Sequence, residues 1–517
     1  MNAPVSPASI SIVAGDADLK KKKKTPSKKS TRLAEEADCS DEWKRLKSEG
    51  NSEFKLGHYH VAIEKYSEAI DLKPTAVLHA NRAFAYLKTE SFGLATMDAE
   101  EAISLDPSYE KGYYRLGSAF VALSKWKDGL KVFRKVCKLV PKSREARKKL
   151  SECKKQVKRE AFEAAIATER GQPLSDTIDV ESIAVPGSYS GPHLAAGDSR
   201  EGGAVTLDFV KHMIREFKAG RQPHKKYVVQ ILLQMKRMMQ SLPSLIEIET
   251  GDDSFITVCG DTHGQFYDVL NIFEVNGPPS ETNAYLFNGD YVDRGSWSVE
   301  VALTFFAYKL LYPKHFFLLR GNHETINMNR IYGFEGEVMH KYDATVNKLF
   351  TEVFQWLPLA GVINKKVMVV HGGLFQKDGV KLDDIRAIKR GREPPESGLM
   401  SDMLWSDPQP FPGRAPSKRG VGQSFGPDVT KAFLDSNGLE LLIRSHEVRQ
   451  EGYLVEHDGC LITVFSAPNY CDQMGNKGAF IKIGSDSKPN FQKFEAVPHP
   501  PIKPMAYAGS GMSAFGL

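Results

Sequence analysis

Three prolines set a period. Pro74, Pro107 and Pro141 stand 33 and 34 residues apart in a stretch, about 41 to 170, that otherwise reads as continuous helix. A repeat of this length constrains the fold strongly, because a unit that cannot bury its apolar face alone must stack on copies of itself. Counting back from each proline, small or aromatic residues recur in four registers: Gly50, Ala83 and Gly117; Ala62, Ala95 and Gly129; Tyr66, Ala99 and Phe133; Ala69, Ala102 and Val136. Small residues let the two helices of a unit approach closely, the aromatic fills the gap between units, and the proline stops the second helix.

Period and pattern resemble the tetratricopeptide repeat. The third unit, with Leu116-Gly117 and Phe120, matches best; the first carries Glu49 and Glu53 where the pattern takes Leu and Tyr. Ala146, Leu150, Cys153, Val157 and Ala161 come next at helical spacing and are expected to cap the array. Residues 41–170 are therefore read as three repeats plus a capping helix.

Outside the repeats the composition shifts. Residues 1–33 hold eight Lys/Arg against Asp16 and Asp18, so the remaining chain sums to −1 from a total of +5. The segment 1–40 is expected to be a disordered basic tail, its lysine run Lys20 to Lys24 being a solvated stretch or a nuclear-import signal. With the rest near neutrality, no basic face for nucleic acid is expected. The Pro- and Gly-containing stretch 171–204 reads as a linker, with Ile183 to Tyr189 as the part that packs on the next domain. Six scattered cysteines without a C-x-x-C pair favour a reducing compartment, and cytoplasm and nucleus are expected. No apolar run approaches the ~18 residues of a membrane span, and no secretory signal is expected.

From 205 to 505, short apolar runs alternate with helical segments, an α/β pattern. Five of the runs end alike: Val258-Cys259 in Gly260-Asp261-Thr262-His263-Gly264, Leu286-Phe287 in Asn288-Gly289-Asp290 through Asp293-Arg294-Gly295, Leu318-Leu319 in Arg320-Gly321-Asn322-His323-Glu324, Val369-Val370 in His371-Gly372-Gly373, and Leu442-Ile443 in Arg444-Ser445-His446. A ligand-type residue directly after a buried strand sits at the sheet's C-terminal edge, where glycines let the backbone turn and approach a ligand. Together these endings supply two Asp, three His and one Asn, oxygen and imidazole donors that suit manganese, iron or zinc. Either motif alone, G-D-x-H-G or G-N-H-E, would more often be a turn with a core histidine. In this order they are not coincidence.

These motifs resemble the phosphoesterase signature, and more closely the serine/threonine protein phosphatases. The additional matches are Trp405-Ser406-Asp407-Pro408, Lys418-Arg419-Gly420-Val421-Gly422 and Ser466-Ala467-Pro468-Asn469-Tyr470-Cys471. With the repeats in front, the chain resembles the branch of the phosphoprotein phosphatase family that carries N-terminal tetratricopeptide repeats. The resemblance implies a multidomain fold: an all-α solenoid, then an α/β metallophosphatase domain with a central β-sandwich flanked by helices. It implies two divalent ions, one held by Asp261 and His263, the other by Asn322, His371 and His446, with Asp290 between them. Arg294, Asn322, Arg419 and Tyr470 would bind the substrate phosphate. His323 would be the general acid, kept protonated by Asp293, for hydroxide held between the ions attacking a phosphoserine or phosphothreonine. Cys471 is a rival nucleophile on paper, but no Arg comes after it within a phosphate loop.

Lys47 and Asn51 fall on the first helix of unit one, Asn81 on that of unit two, Lys111 and Arg115 on that of unit three. The spacing of four puts each pair on one face. They coincide with the carboxylate clamp by which similar modules grip the acidic C-terminal peptide of the heat-shock protein 90 chaperone. The family also implies autoinhibition by the repeats through Glu90, with a tail contribution weakened because Ala508 to Met512 is a poor helix. A monomer is expected. The competing functions are another metallophosphoesterase, or a catalytically weak co-chaperone adaptor.

Overall fold

The computed structural model describes residues 28–169, 172–195, 197, 202–252 and 254–508. The lysine run Lys20 to Lys24 lies outside the described residues. Seven helices come first: α1 (Lys28–Leu56), α2 (Tyr59–Leu72), α3 (Ala76–Lys88), α4 (Phe92–Leu105), α5 (Glu110–Ala122), α6 (Trp126–Leu139) and α7 (Arg144–Glu169). Helix α1 begins at Lys28, so the part of the expected tail from Lys28 to Ser40 is helical, while residues 1–27 lie outside the described residues. No apolar stripe announces this stretch, in which Lys28, Lys29 and Arg32 balance Glu35, Glu36 and Asp38, so the sequence offers no clear helical signal there. No helix among the described residues is long and apolar enough to cross a membrane.

The repeat registers have a steric cause. A Cβ on Gly50 would stand 2.7 Å from the Tyr66 ring, and one on Gly117 would stand 2.9 Å from the Phe133 ring. Units one and three thus pair glycine on the first helix with an aromatic on the second. Unit two fills the same space with Ala83 and Ala99, both fully buried.

The expected linker is a strap on the second domain along much of its length, well beyond Ile183 to Tyr189. In α8 (Leu174–Thr177), the Leu174 and Ser175 amides donate to the Glu352 carboxylate at 2.8 and 3.3 Å. Val180 and Leu194 are buried in that domain's core, and the Tyr189 ring meets His193, His224 and Tyr227. An extended strap buries side chains without a period, which is why it reads as a linker.

The second domain contains α9 (Leu207–Lys218), α10 (Lys225–Ser241), α11 (Phe266–Asn276), α12 (Ser298–Leu311), α13 (Ile326–Tyr332), α14 (Phe334–Lys341) and α15 (Ala344–Trp356). Its first strands are β1 (Leu245–Ile248), β2 (Phe255–Cys259), β3 (Ala284–Phe287), β4 (Phe316–Leu318), β5 (Ala360–Ile363) and β6 (Val367–Val370). A small sheet, β7 (Asp407–Pro408), β8 (Arg414–Pro416) and β9 (Gln423–Phe425), comes after them. The last are β10 (Leu441–Arg444), β11 (Tyr453–Glu456), β12 (Leu461–Val464), β13 (Gly478–Gly484) and β14 (Pro489–Phe494).

Two mixed sheets, ordered β1-β5-β6-β10-β12-β11 and β14-β13-β2-β3-β4, form the sandwich. Alternation along the strands fills three apolar layers. Leu286, Val369 and Ile443 point into the space between the sheets. Tyr285 and Phe287 face the outer helices on one side, while Met368, Val370 and Leu442 face outward on the other.

Candidate metal centre

All five strand endings meet at one edge of the sandwich: β2, β3 and β4 arrive from one sheet, β6 and β10 from the other. The turns that aim their side chains are sharp. His263, Asp290, Asp293, Arg294 and His446 all have positive φ, between 41 and 71°. Non-glycine residues in this region cluster at sites the surrounding fold holds under strain.

Two donor sets share Asp290. The His263 Nε2 is 3.7 Å from both Asp261 Oδ2 and Asp290 Oδ2. The His371 Nε2 lies 3.2 Å from Asp290 Oδ2, 2.9 Å from Asn322 Oδ1 and 3.2 Å from His446 Nδ1. The opposite ring nitrogens are spoken for: His263 Nδ1 donates to the Val292 carbonyl at 3.0 Å, and His371 Nδ1 to the Asn288 carbonyl at 2.8 Å. That fixes both tautomers with the Nε2 lone pairs turned inward.

The His371 lone pair therefore faces a carboxylate, an amide oxygen and a second imidazole, an assembly of acceptors. Burial, then the facing Asp290, pushes Asp261 up to about 7; burial pushes Asp290 up to about 8. Burial also drives His263 and His446 well below the ordinary imidazole value. Neutral imidazoles around carboxylates that lack a counter-charge are a donor set for divalent cations. The residues fit a metal pair.

Beside this set, His323 Nδ1 is 2.8 Å from Asp293 Oδ2, and Asn329 Nδ2 donates to that oxygen at 3.1 Å. The His323 ring is also near enough to His263 and Asp290 to share an ion with them, donor atoms within 4.8 Å. Burial, then Arg294, pushes its imidazole well down, and burial raises Asp293 to about 7. Low dielectric and the neighbouring guanidinium thus pull His323 away from its charged form, while Glu90 and the hydrogen bond to Asp293 act the other way.

Three residues of the supporting layer are not singled out by the sequence. Glu324 accepts the amides of Asp290, Tyr291 and Gly321, each at 2.8 Å, and so ties the β3 and β4 loops together. Asn288 Nδ2 bonds the Val370 carbonyl at 2.8 Å and Ser445 Oγ at 2.9 Å, linking the two sheets. Asp407 takes Arg419 Nε at 2.7 Å and Arg444 Nη2 at 2.8 Å. All three stand inside the phosphatase motifs, which is the signal that could have found them.

Arg294 lies over the Tyr332 ring at 3.8 Å, and Arg419 also donates to the His446 carbonyl at 2.8 Å. Tyr470 closes the rim, its ring 5.1 Å from His263. Into this mouth reaches Glu90, from the turn between α3 and α4, with φ 57°. Its carboxylate pairs with Arg294 Nη2. Burial alone would raise the Glu90 pKa, but Arg294 outweighs it and holds the group below its usual value.

The start of α4 makes the second contact. Gly93 N donates to the Lys418 carbonyl at 2.9 Å, and a Cβ at Gly93 would sit 2.4 Å from the Ser417 carbonyl oxygen. The repeats and the site thus meet backbone to backbone beside Arg419. The tail lies along the same rim: Met505 N donates to the Arg294 carbonyl at 2.7 Å, Ser296 Oγ to the Lys503 carbonyl at 2.7 Å. Tyr507 stacks near His340, centroids 5.1 Å apart; Gly509 to Met512 lie outside the described residues. Burial pushes the Cys471 thiol up to about 11, a poor nucleophile.

The residues expected to form the clamp lie on the first helices of the units, away from the metal centre. Asn51 Oδ1 accepts from Tyr66 Oη at 2.8 Å and from Asn81 Nδ2 at 3.1 Å, so the first two units face one groove. Arg115 lies 3.5 Å over the Phe84 ring, and its buried Nε has no partner. Burial pushes Arg115 down to about 10. Lys88, not singled out in the sequence, approaches the same ring at 5.7 Å. Lys47 stands over Trp43 at 5.2 Å; Lys111 is exposed.

The family model of the calcineurin-like phosphoesterases matches residues 256–450, and the model described as the PPP5 TPR repeat region matches 150–247. The chain is 56% identical over 468 residues to serine/threonine-protein phosphatase 5 of Homo sapiens, covering 90% of this chain and 93% of that one. It is 51% identical over 479 residues to serine/threonine-protein phosphatase T of Trypanosoma brucei brucei, covering 92% and 99%. A solved Saccharomyces cerevisiae protein serine/threonine phosphatase with similarity to human phosphatase PP5 superposes with TM-score 0.57 at 46% identity, covering 58% of this chain and 100% of its own.

Proposed function

The chain belongs to the serine/threonine-protein phosphatase 5 family and is a protein serine/threonine phosphatase, and on that premise we propose how its own residues divide the work. The observation that carries the proposal is the two donor sets sharing Asp290, with the His323–Asp293 pair beside them. Asp261, His263 and Asp290 would hold one divalent ion, and Asn322, His371 and His446, with Asp290, would hold the other. When bound, such a pair supplies positive charge at phosphorus and makes water acidic enough to serve as nucleophile near neutral pH.

Arg294, Arg419, Tyr470 and the Asn322 amide orient the phosphate of a phosphoserine or phosphothreonine, the arginines by charge-assisted bonds. Asp407 fixes the Arg419 plane for that contact. The Asp293–His323 pair carries the proton that the imidazole gives to the departing alkoxide, which is too basic to leave unprotonated. Glu324 holds the β3 and β4 loops at the spacing the donors need.

The test is turnover of a phosphoserine peptide by the purified chain. Chelation is expected to remove activity, and added manganese to restore it, with metal content tracked by elemental analysis. Full activity in the chelated, metal-free protein would sink the reading.

Glu90 serves in the closed form as a resident anion in the phosphate position. The groove of Asn51, Asn81, Lys47, Lys111 and Arg115 takes an acidic C-terminal peptide, as of the heat-shock protein 90 chaperone. What supports this is the unpartnered, buried Arg115 Nε and the direct Asn51–Asn81 bond. Arg115→Ala is expected to weaken binding of a peptide ending in Met-Glu-Glu-Val-Asp by about tenfold to a hundredfold, the worth of a charged hydrogen bond. Titration calorimetry measures it, and unchanged affinity counts against the clamp.

A further inference from the structure

The last helices of the repeat array carry a charge that the whole-chain sum conceals. From Lys125 to Arg159, fifteen Lys/Arg stand against Asp128, Glu145 and Glu152, a balance of +12; with +5 in total, the rest of the chain sums to −7. The expectation of no large basic face came from that averaging.

The charges are arranged. On α6, Lys127, Lys131, Arg134 and Lys138 are exposed, opposite the buried Trp126, Leu130, Phe133 and Val136. On α7, Arg144, Lys148, Lys154, Lys155 and Lys158 are exposed, with Ala146 and Cys153 fully buried behind them. Lys142, in the turn between the helices, joins the two rows into one ridge. Among these described cations, Lys131 alone has a carboxylate partner, Asp128 at 3.0 Å.

Concentrating so many like charges costs self-repulsion, which a polyanion removes. The side-chain chemistry narrows the partner. Exposed lysines outnumber exposed arginines nine to three between 125 and 159. Lysine is a point charge; the planar fork of arginine, with Asn, Gln and interleaved aromatics, is what reads nucleic-acid phosphates and bases. Phe162, one turn beyond Lys158 and so on the same face, is 66% exposed. A lysine row ending in an unburied aromatic suits peripheral contact with an anionic bilayer, cations over the headgroups and the ring at their level.

We propose that the α6–α7 ridge docks the chain on an anionic lipid bilayer, lysines over the headgroups and Phe162 in the interface. The contact is made by residues outside both the metal centre and the peptide groove, so it stands or falls independently of the proposed mechanism.

Co-sedimentation of the full chain with phosphatidylcholine vesicles, with and without about one-third phosphatidylserine, tests it. Binding is expected only to the anionic vesicles, and is lost as salt rises from about 0.1 to about 0.5 M, where screening shortens below the ridge's width. The exposed-residue variant Lys148→Glu, Lys154→Glu, Lys155→Glu, Lys158→Glu is expected to bind at least a hundredfold more weakly, at roughly fivefold per lysine, with unchanged activity on an aryl phosphate. A second variant, Lys20 to Lys24 each changed to Gln, is expected to keep most of its binding. Equal sedimentation with neutral vesicles, or loss in the second variant and not the first, overturns the proposal. So does a chain that ignores vesicles but binds a DNA duplex through the same lysines.

Discussion

Changing His323 to Asn lowers turnover of a phosphoserine peptide by about 10²–10⁴, the range for removing a positioned general acid. The size of the loss depends on the leaving group, and that dependence is the diagnostic. An aryl phosphate departs as a weakly basic phenolate that needs little help from a proton, so the same variant retains much more of its activity there. His323 is also close enough to His263 and Asp290 to share an ion with them. Metal content separates the roles: an acid leaves it intact, a ligand does not. Equal losses on both substrates, together with lost metal, would reassign His323 to the ligand set. Asp293→Asn should reproduce the selective loss more weakly, since it removes the partner at 2.8 Å and leaves the ring.

Glu90→Gln raises the basal activity of the full chain by about ten- to a hundredfold. Glu90 is 28% exposed and Arg294 is 9% exposed, so losing this charged bond costs about 1.5–3 kcal/mol rather than the full penalty of a buried pair, and that shifts a closed-to-open ratio by about ten- to a hundredfold. The repeats place the Glu90 carboxylate on Arg294; on the proposed reading that is the phosphate position, and its loss should both open the mouth and free the arginine. The variant should also lose its response to a clamp peptide, having little closure left to release. Gly93→Leu provides a second route without touching Arg294, because its side chain must enter the space 2.4 Å from the Ser417 carbonyl. Unchanged basal activity in both variants would refute the closed form as the inhibited one.

Much of this was legible in the sequence, for two physical reasons. Ligands that come directly after buried strands must lie at a sheet edge, and five such endings leave few places to meet. Glycine facing an aromatic in units one and three, with alanine facing alanine in unit two, writes helix contact into the repeat period itself. The supporting layer was less legible. Asn288 reaches Ser445 across the sandwich and Asp407 reaches Arg444, contacts that only a folded topology reveals. The strap from 172 to 195 has no period to read. The approach of Glu90 to Arg294 and His323 depends on how the repeats dock, which no motif encodes, and the basic ridge vanished into a sum.

The strap has a consequence for how tightly the mouth needs to be shut. Residues from Leu174 onward are anchored to the phosphatase domain, and α7 ends at Glu169. The tether between the two modules is therefore four residues long, not thirty-four, and can span at most about 18 Å. Repeats on so short a leash face the site at an effective concentration of the order of millimolar. A docking contact with only millimolar intrinsic affinity then suffices to populate the closed form. Supplied as a separate chain, the same repeats would be a feeble inhibitor.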